Sequence, residues 1–221
     1  MPGWIGWCFL VFMLVLVPLL VLRTVRRFNE RPIPPRMAVM RNTLAQQVFF
    51  GAFAWYTAKL EGLWIFPIAM PTGWGVAAAT AFVGLAVLAM RPIWGRAVQQ
   101  RERRTLLLMP QGPRESAMWL AVSAAAGVSE ELVWRGVLWG LLTRVLGDPI
   151  AAAAICVVMF TLAHAVQGWR SMLAISLFSA LFHVLAWASG TLAVAMLAHA
   201  AYDMIAGFRY ARLARASGWG A

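Results

Sequence analysis

Ser129-Glu130-Glu131-Leu132-Val133-Trp134-Arg135 places two carboxylates and a guanidinium inside the otherwise apolar run of residues 116–146. On insertion scales, a charged side chain at the centre of a membrane helix costs about 2.5–3.5 kcal/mol. Three such groups cannot face lipid. They must face a protein interior or a wet cavity, which marks them as a candidate functional site.

The rest of the chain supports a membrane setting. Of 221 residues, 62% are hydrophobic and 12% charged, against about a quarter charged in a soluble domain. The net charge of +11 would suggest a nucleic-acid partner in a soluble protein. Here most arginines fall in two blocks beside apolar segments, where they set topology and meet anionic lipid. No nucleic acid is expected as a partner. Arg and Ala are abundant and Lys59 is the only lysine, which hints at a GC-rich bacterial genome. Cys8 and Cys156 lie in apolar runs, so neither a disulfide nor a cysteine metal site is expected.

Residues 4–22 are uncharged and long enough to span. Arg23, Arg26, Arg27, Arg31, Arg36 and Arg41 follow, the reverse of the charge order of a cleavable signal. A retained first helix is expected, with its N-terminus outside and a cytoplasmic loop over 23–41 kept from being wholly helical by Pro32, Pro34 and Pro35. Residues 43–66 form a second span, with Lys59 and Glu61 at its polar outer end. Pro67, Pro71 and Gly73 make an external turn, and 74–90 the third span. Arg91, Arg96, Arg101, Arg103, Arg104 and Arg114 mark a second cytoplasmic loop, read as a solvated charge run. Residues 116–146 form one long helix or two pieces hinged at Gly127-Val128-Ser129. Spans over 149–166, 172–188 and 191–208 precede a basic tail.

The expected fold is therefore an all-α polytopic membrane protein of about seven transmembrane helices, within a range of six to eight. Seven crossings leave both arginine blocks, Arg170 and the tail in the cytoplasm, in keeping with the positive-inside rule. The organisation reads as 1–115 with three helices, 116–208 as a polar-bearing core, and 209–221 as the tail. The expected location is a bacterial cytoplasmic membrane; the oligomeric state is left open.

All three histidines, His164, His183 and His199, fall in the C-terminal third with Glu130, Glu131, Arg135 and Asp203. Glu131 and Arg135 are four apart and share a helix face, whereas Glu130 lies about 140° from Arg135. Pairing Glu131 with Arg135 leaves Glu130 free to point elsewhere. His199 and Asp203 share a face in the same way. His183 reads as an interhelical hydrogen bonder. Carboxylates with imidazoles can turn water into a nucleophile by general-base catalysis. Ser123, Ser129 and Cys156 lack a His at helical spacing and are poor nucleophiles. Gly136-Val137-Leu138-Trp139-Gly140 reads as close packing within the monomer, and Trp4, Trp7, Trp74 and Trp169 as interfacial anchors.

The ordered set Glu130-Glu131-x-x-x-Arg135, Phe160-x-x-x-His164 and His199-x-x-x-Asp203, with Gly190-Thr191-Leu192 before the last, resembles the CPBP family. This family comprises CAAX prenyl proteases and bacteriocin-processing or immunity (Abi) proteins. The resemblance covers about 116–208. It implies an all-helical intramembrane glutamate peptidase whose substrate is a membrane-associated peptide or protein. By position, Glu130 with His164 activates water, and His199 with Asp203 completes the site. Glu131, Arg135 and Phe160 support it. Family members usually carry Asn where this chain has Asp203. An ionised carboxylate only accepts hydrogen bonds, so Asp203 is protonated, orients His199 or binds a metal with it; orienting is the preferred reading. No cofactor is expected. A divalent metal on His164, His199, Glu130 and Asp203 is the metallopeptidase alternative. An immunity protein, scaffold or proton-coupled carrier is the alternative without proteolysis. A cavity open to the cytoplasm or inner leaflet is expected around Glu130.

Overall fold

In the computed structural model, which describes residues 1–32, 34–65 and 69–219, the chain forms seven continuous helical rods and no strand among those residues. These are α1 (Trp4–Glu30), α2 (Arg36–Leu60), α3 (Gly73–Gln99), α4 (112–146), α5 (Pro149–Ala163), α6 (Trp169–Ser189) and α7 (Leu192–Ala216). Three of them, α1, α3 and α6, are long and apolar enough to cross a membrane by length and composition alone. The polarity of the molecule is inverted relative to a soluble domain. Leu19, Leu85, Leu173 and Val184 face outward, while Glu131 and Arg135 are 0% and 1% exposed. Apolar exteriors around buried charge are the signature of a protein in lipid.

The helices correspond to the seven expected segments, but several run further. α1 carries Arg23, Arg26 and Arg27 to Glu30, and α2 begins at Arg36, so the first basic connection shrinks to 31–35. Likewise α3 continues through Pro92 to Gln99. Arginine is a good helix former, so a run of charge does not end a helix leaving the hydrocarbon. The Pro32-x-Pro34-Pro35 cluster does, because proline supplies no N–H and restricts the residue before it. The basic stretch after α3 is not a solvated run throughout, since residues Arg103–Leu108 form a 3-10 turn and Thr105 and Met109 are buried. The α2 helix ends at Leu60 rather than near Phe66. Of the expected external turn, Pro67 and Phe66 lie outside the described residues; Thr72 caps α3 by accepting from Gly75 N at 3.4 Å.

No hinge occurs at Gly127-Val128-Ser129. Helix α4 runs through it and instead widens to a π turn at Leu132–Leu138, directly after the two glutamates. Such turns cluster at functional positions. Gly127 is used for contact. A Cβ there would lie 2.7 Å from Ala200 Cβ and 2.8 Å from the Met196 carbonyl, so its absence lets α4 and α7 meet backbone to backbone. Gly136 and Gly140 pack within the monomer, against Ile65, Leu192 and Leu63. The α4 rod thus sits centrally, with α2 on one side and α7 on the other. Helix α5 is started by Asp148, whose Oδ1 accepts from Ile150 N and Ala151 N at 2.8 and 3.2 Å, with Pro149 at its first position.

Candidate functional site

Three rods deliver the polar groups to one place. Helix α4 brings Glu130 and Glu131, the C-terminal end of α5 brings His164, and the middle of α7 brings His199 and Asp203. The Glu130 Oε2 atom lies 3.8 Å from Nε2 of His164 and 3.8 Å from Nε2 of His199. Nε2 of His199 is 3.7 Å from Asp203 Oδ2. These gaps exceed a direct hydrogen bond but suit a bridging water with contacts of about 2.8 Å. A cavity of about 140 Å³ is lined by Glu130, His164, His199 and Asp203, with Phe160 and Tyr202. A second, of about 310 Å³, reaches Glu130, His164 and Asp203 past Gln47 and Arg104. Glu130 lines both cavities.

Each imidazole is oriented through Nδ1, leaving Nε2 for the gap. The backbone N–H of His164 bonds to Thr161 O, which leaves the Phe160 carbonyl without its ordinary helical donor. The His164 ring fills that role, with Nδ1 2.8 Å from Phe160 O. Because a carbonyl only accepts, Nδ1 carries the proton. For His199 the orienting group is Glu131, whose Oε1 lies 2.8 Å from Nδ1. The expected orienting partner was Asp203, but it faces the opposite nitrogen and stands farther off. Its own backbone carbonyl accepts from Trp119 Nε1 at 3.1 Å, which ties α7 to α4.

Behind the imidazoles lies a fully buried support. Arg135 Nη1 donates to Glu131 Oε1 at 3.1 Å. Its Nη2 donates to the Ser179 carbonyl at 3.1 Å and to Ser179 Oγ at 2.8 Å, reaching across to α6. The guanidinium lies over the rings of Phe160 and Phe182, at 4.7 and 5.4 Å. Phe182 stacks on His199 at 5.1 Å. One cation therefore fixes the glutamate that fixes the histidine, with both charges buried.

Some members of the cluster were not foreseen. Gln47, from α2, donates through Nε2 to Glu130 Oε1 at 2.6 Å. Ser129 Oγ donates in turn to Gln47 Oε1. A glutamine in an apolar segment was the only advance signal, and it reads equally as an interrupted span. His183 is half-buried, and its Nε2 has no hydrogen-bond partner among the described residues, which differs from the expected interhelical bond. Cys156 is buried and unpaired. No group of three or more His, Cys, Asp or Glu side chains among the described residues is arranged to hold a metal ion.

Comparison with known proteins gives one finding. Residues 112–205 match the family model described as type II CAAX prenyl endopeptidase Rce1-like. The matched stretch begins with α4 and contains Glu130, Glu131, Arg135, Phe160, His164, His199 and Asp203. No curated protein and no solved structure matches the chain.

Proposed function

We propose that Glu130 and His164 activate water to cleave a peptide bond inside the membrane, a reading supported by the match of residues 112–205 to the type II CAAX prenyl endopeptidase Rce1-like model. The observation that carries this reading is the single oxygen, Glu130 Oε2, facing Nε2 of two histidines at 3.8 Å each. Water held between Glu130 and His164 loses a proton to the carboxylate as its oxygen bonds to the scissile carbonyl carbon. The carbonyl oxygen becomes an oxyanion next to Nε2–H of His199, whose other nitrogen donates to Glu131. Collapse breaks the C–N bond, and the proton on Glu130 passes to the departing amine. Asp203, 3.7 Å from Nε2 of His199, faces the same nitrogen as a second acceptor.

The substrate is a membrane-associated peptide or protein, entering from the cytoplasmic leaflet. The N-terminus lies outside and the arginine-rich end in the cytoplasm. The test uses purified protein in proteoliposomes with a farnesylated peptide ending in a CAAX motif. Glu130→Gln and His164→Ala should each lower cleavage by at least about 10³-fold while eluting as folded protein. Undiminished cleavage by either variant overturns the assignment. Dialysis against chelator, with elemental analysis, addresses the metal alternative: activity should survive in metal-free protein. A biological phenotype untouched by Glu130→Gln would favour an immunity, scaffold or carrier role.

A further inference from the structure

We infer that Gln47 is a positioning residue for Glu130, making its two carboxylate oxygens inequivalent so that only Oε2 meets the water; this rests on the peptidase reading of the site. Oε1 is occupied by the Gln47 amide at 2.6 Å. Oε2 is buried, takes no hydrogen bond among the described residues, and is the atom facing both imidazoles.

The direction of the amide is fixed. Ser129 Oγ–H donates to its oxygen, and an ionised carboxylate can only accept, so the NH2 end must face Glu130. Hydroxyl, amide and carboxylate form a one-way chain. Unsupported, a glutamate carboxylate rotates about its last bond and presents either oxygen. Gln47 removes that freedom before substrate arrives, which is how preorganisation lowers a barrier.

Helix α2 is shaped to deliver it. Gly51 is four residues after Gln47 and so shares its face. A Cβ on Gly51 would sit 3.2 Å from Ser129 Cβ, and a side chain there would press α2 away from α4. The group that orients the general base thus comes from outside the matched stretch 112–205. The site is completed by the N-terminal helices and is not contained in the core alone.

The test compares wild type with Gln47→Met, Ser129→Ala and the double variant, all checked for monodisperse elution. Gln47→Met keeps length and flexibility without the amide. Expected is a fall in kcat of about 10- to 100-fold with KM within about twofold. Ser129 acts only through Gln47, so Ser129→Ala should lower kcat in the wild-type background and have no further effect beside Gln47→Met. Additive losses, or an unchanged kcat, overturn the inference. If Gln47→Met does not fold, Gln47→Asn serves instead, its amide being too short to reach.

A second readout needs no turnover. In protein labelled with 13C-glutamate, the carboxylate bands lost on Glu130→Gln should shift in Gln47→Met, as one oxygen loses its donor. Unshifted bands sink the positioning role even if the enzyme is active. Shifted bands in a protein that cleaves nothing retain it and sink the peptidase reading instead.

Discussion

His164 owes its orientation to the end of its own helix, and His199 to a residue on another. The first relation is partly legible in sequence, because Phe160-x-x-x-His164 places the ring one turn after the carbonyl that its own backbone N–H leaves free. The second is not, since Glu131 and His199 are 68 positions apart and spacing only predicts partners on one helix. Helical spacing points to Asp203 as the orienting acid, whereas Glu131 is the carboxylate bonded to Nδ1 of His199. The Glu131–Arg135 pair was legible for the same reason that the link to His199 was not. Its burial yields a prediction. Arg135→Met leaves Glu131 charged and buried without its guanidinium and removes the donor to Ser179 Oγ, and should cost about 3–5 kcal/mol of stability. Adding Glu131→Gln removes the stranded charge and should restore most of it. The double variant should still show a large loss in kcat, because a neutral amide holds His199 less firmly. Thermal unfolding in detergent, run beside the cleavage assay, checks both halves.

At the scale of elements, the critical contact is the crossing of α4 and α7. Alternation of apolar and polar segments was enough to place seven helices, but several ends, such as Glu30, Leu60, Gln99 and Ala216, lie well away from the edges of the apolar runs. Gly147 and Gly190, at φ 71° and 66°, terminate helices in the left-handed conformation that favours glycine. How closely two helices approach was not legible, because Gly127, a glycine within an apolar run, fits a hinge and an uninterrupted helix equally well. Its missing Cβ instead admits Ala200 and the Met196 carbonyl, and this closeness puts Glu131 within reach of His199. Gly127→Ala should therefore separate the rods, with a loss of both stability and activity, since the clash is with backbone. Gly84→Ala is the control: nothing lies within 4 Å of its Cβ position, and replacing a helical glycine there should stabilise by about 0.5–1 kcal/mol. Equal effects from the two substitutions would show that the α4–α7 approach is not tight.

Across the whole molecule, charge is sorted to one end. Arg103 donates to the Arg31 carbonyl, Arg104 to Asn29, and Arg170 pairs with Glu102 at 3.7 Å, so three basic connections meet at a common face. The opposite end has a different character. There the Glu61 carboxylate accepts from Gly3 N and Gly6 N at 2.9 and 2.8 Å, capping α1, while Arg144 donates to the Glu61 and Gly62 carbonyls. The expectation that Glu61 merely decorates an outer end missed this cap, because its partners lie 55 and 58 positions away. The tail packs at the basic end, where Trp219 meets the cluster around Trp94, so the two termini lie at opposite ends, as an odd number of crossings requires. The positive-inside rule then predicts that the basic end is cytoplasmic. Single-cysteine variants made on Cys8→Ser, Cys156→Ala protein can test it. Met70→Cys, at a position 90% exposed near the cap, should react with an impermeant maleimide on intact cells. Ser217→Cys, exposed in the tail, should react only after lysis. The reverse pattern would turn the molecule over and place the mouth of the Glu130 cavity, with its Arg104 wall, outside the cell.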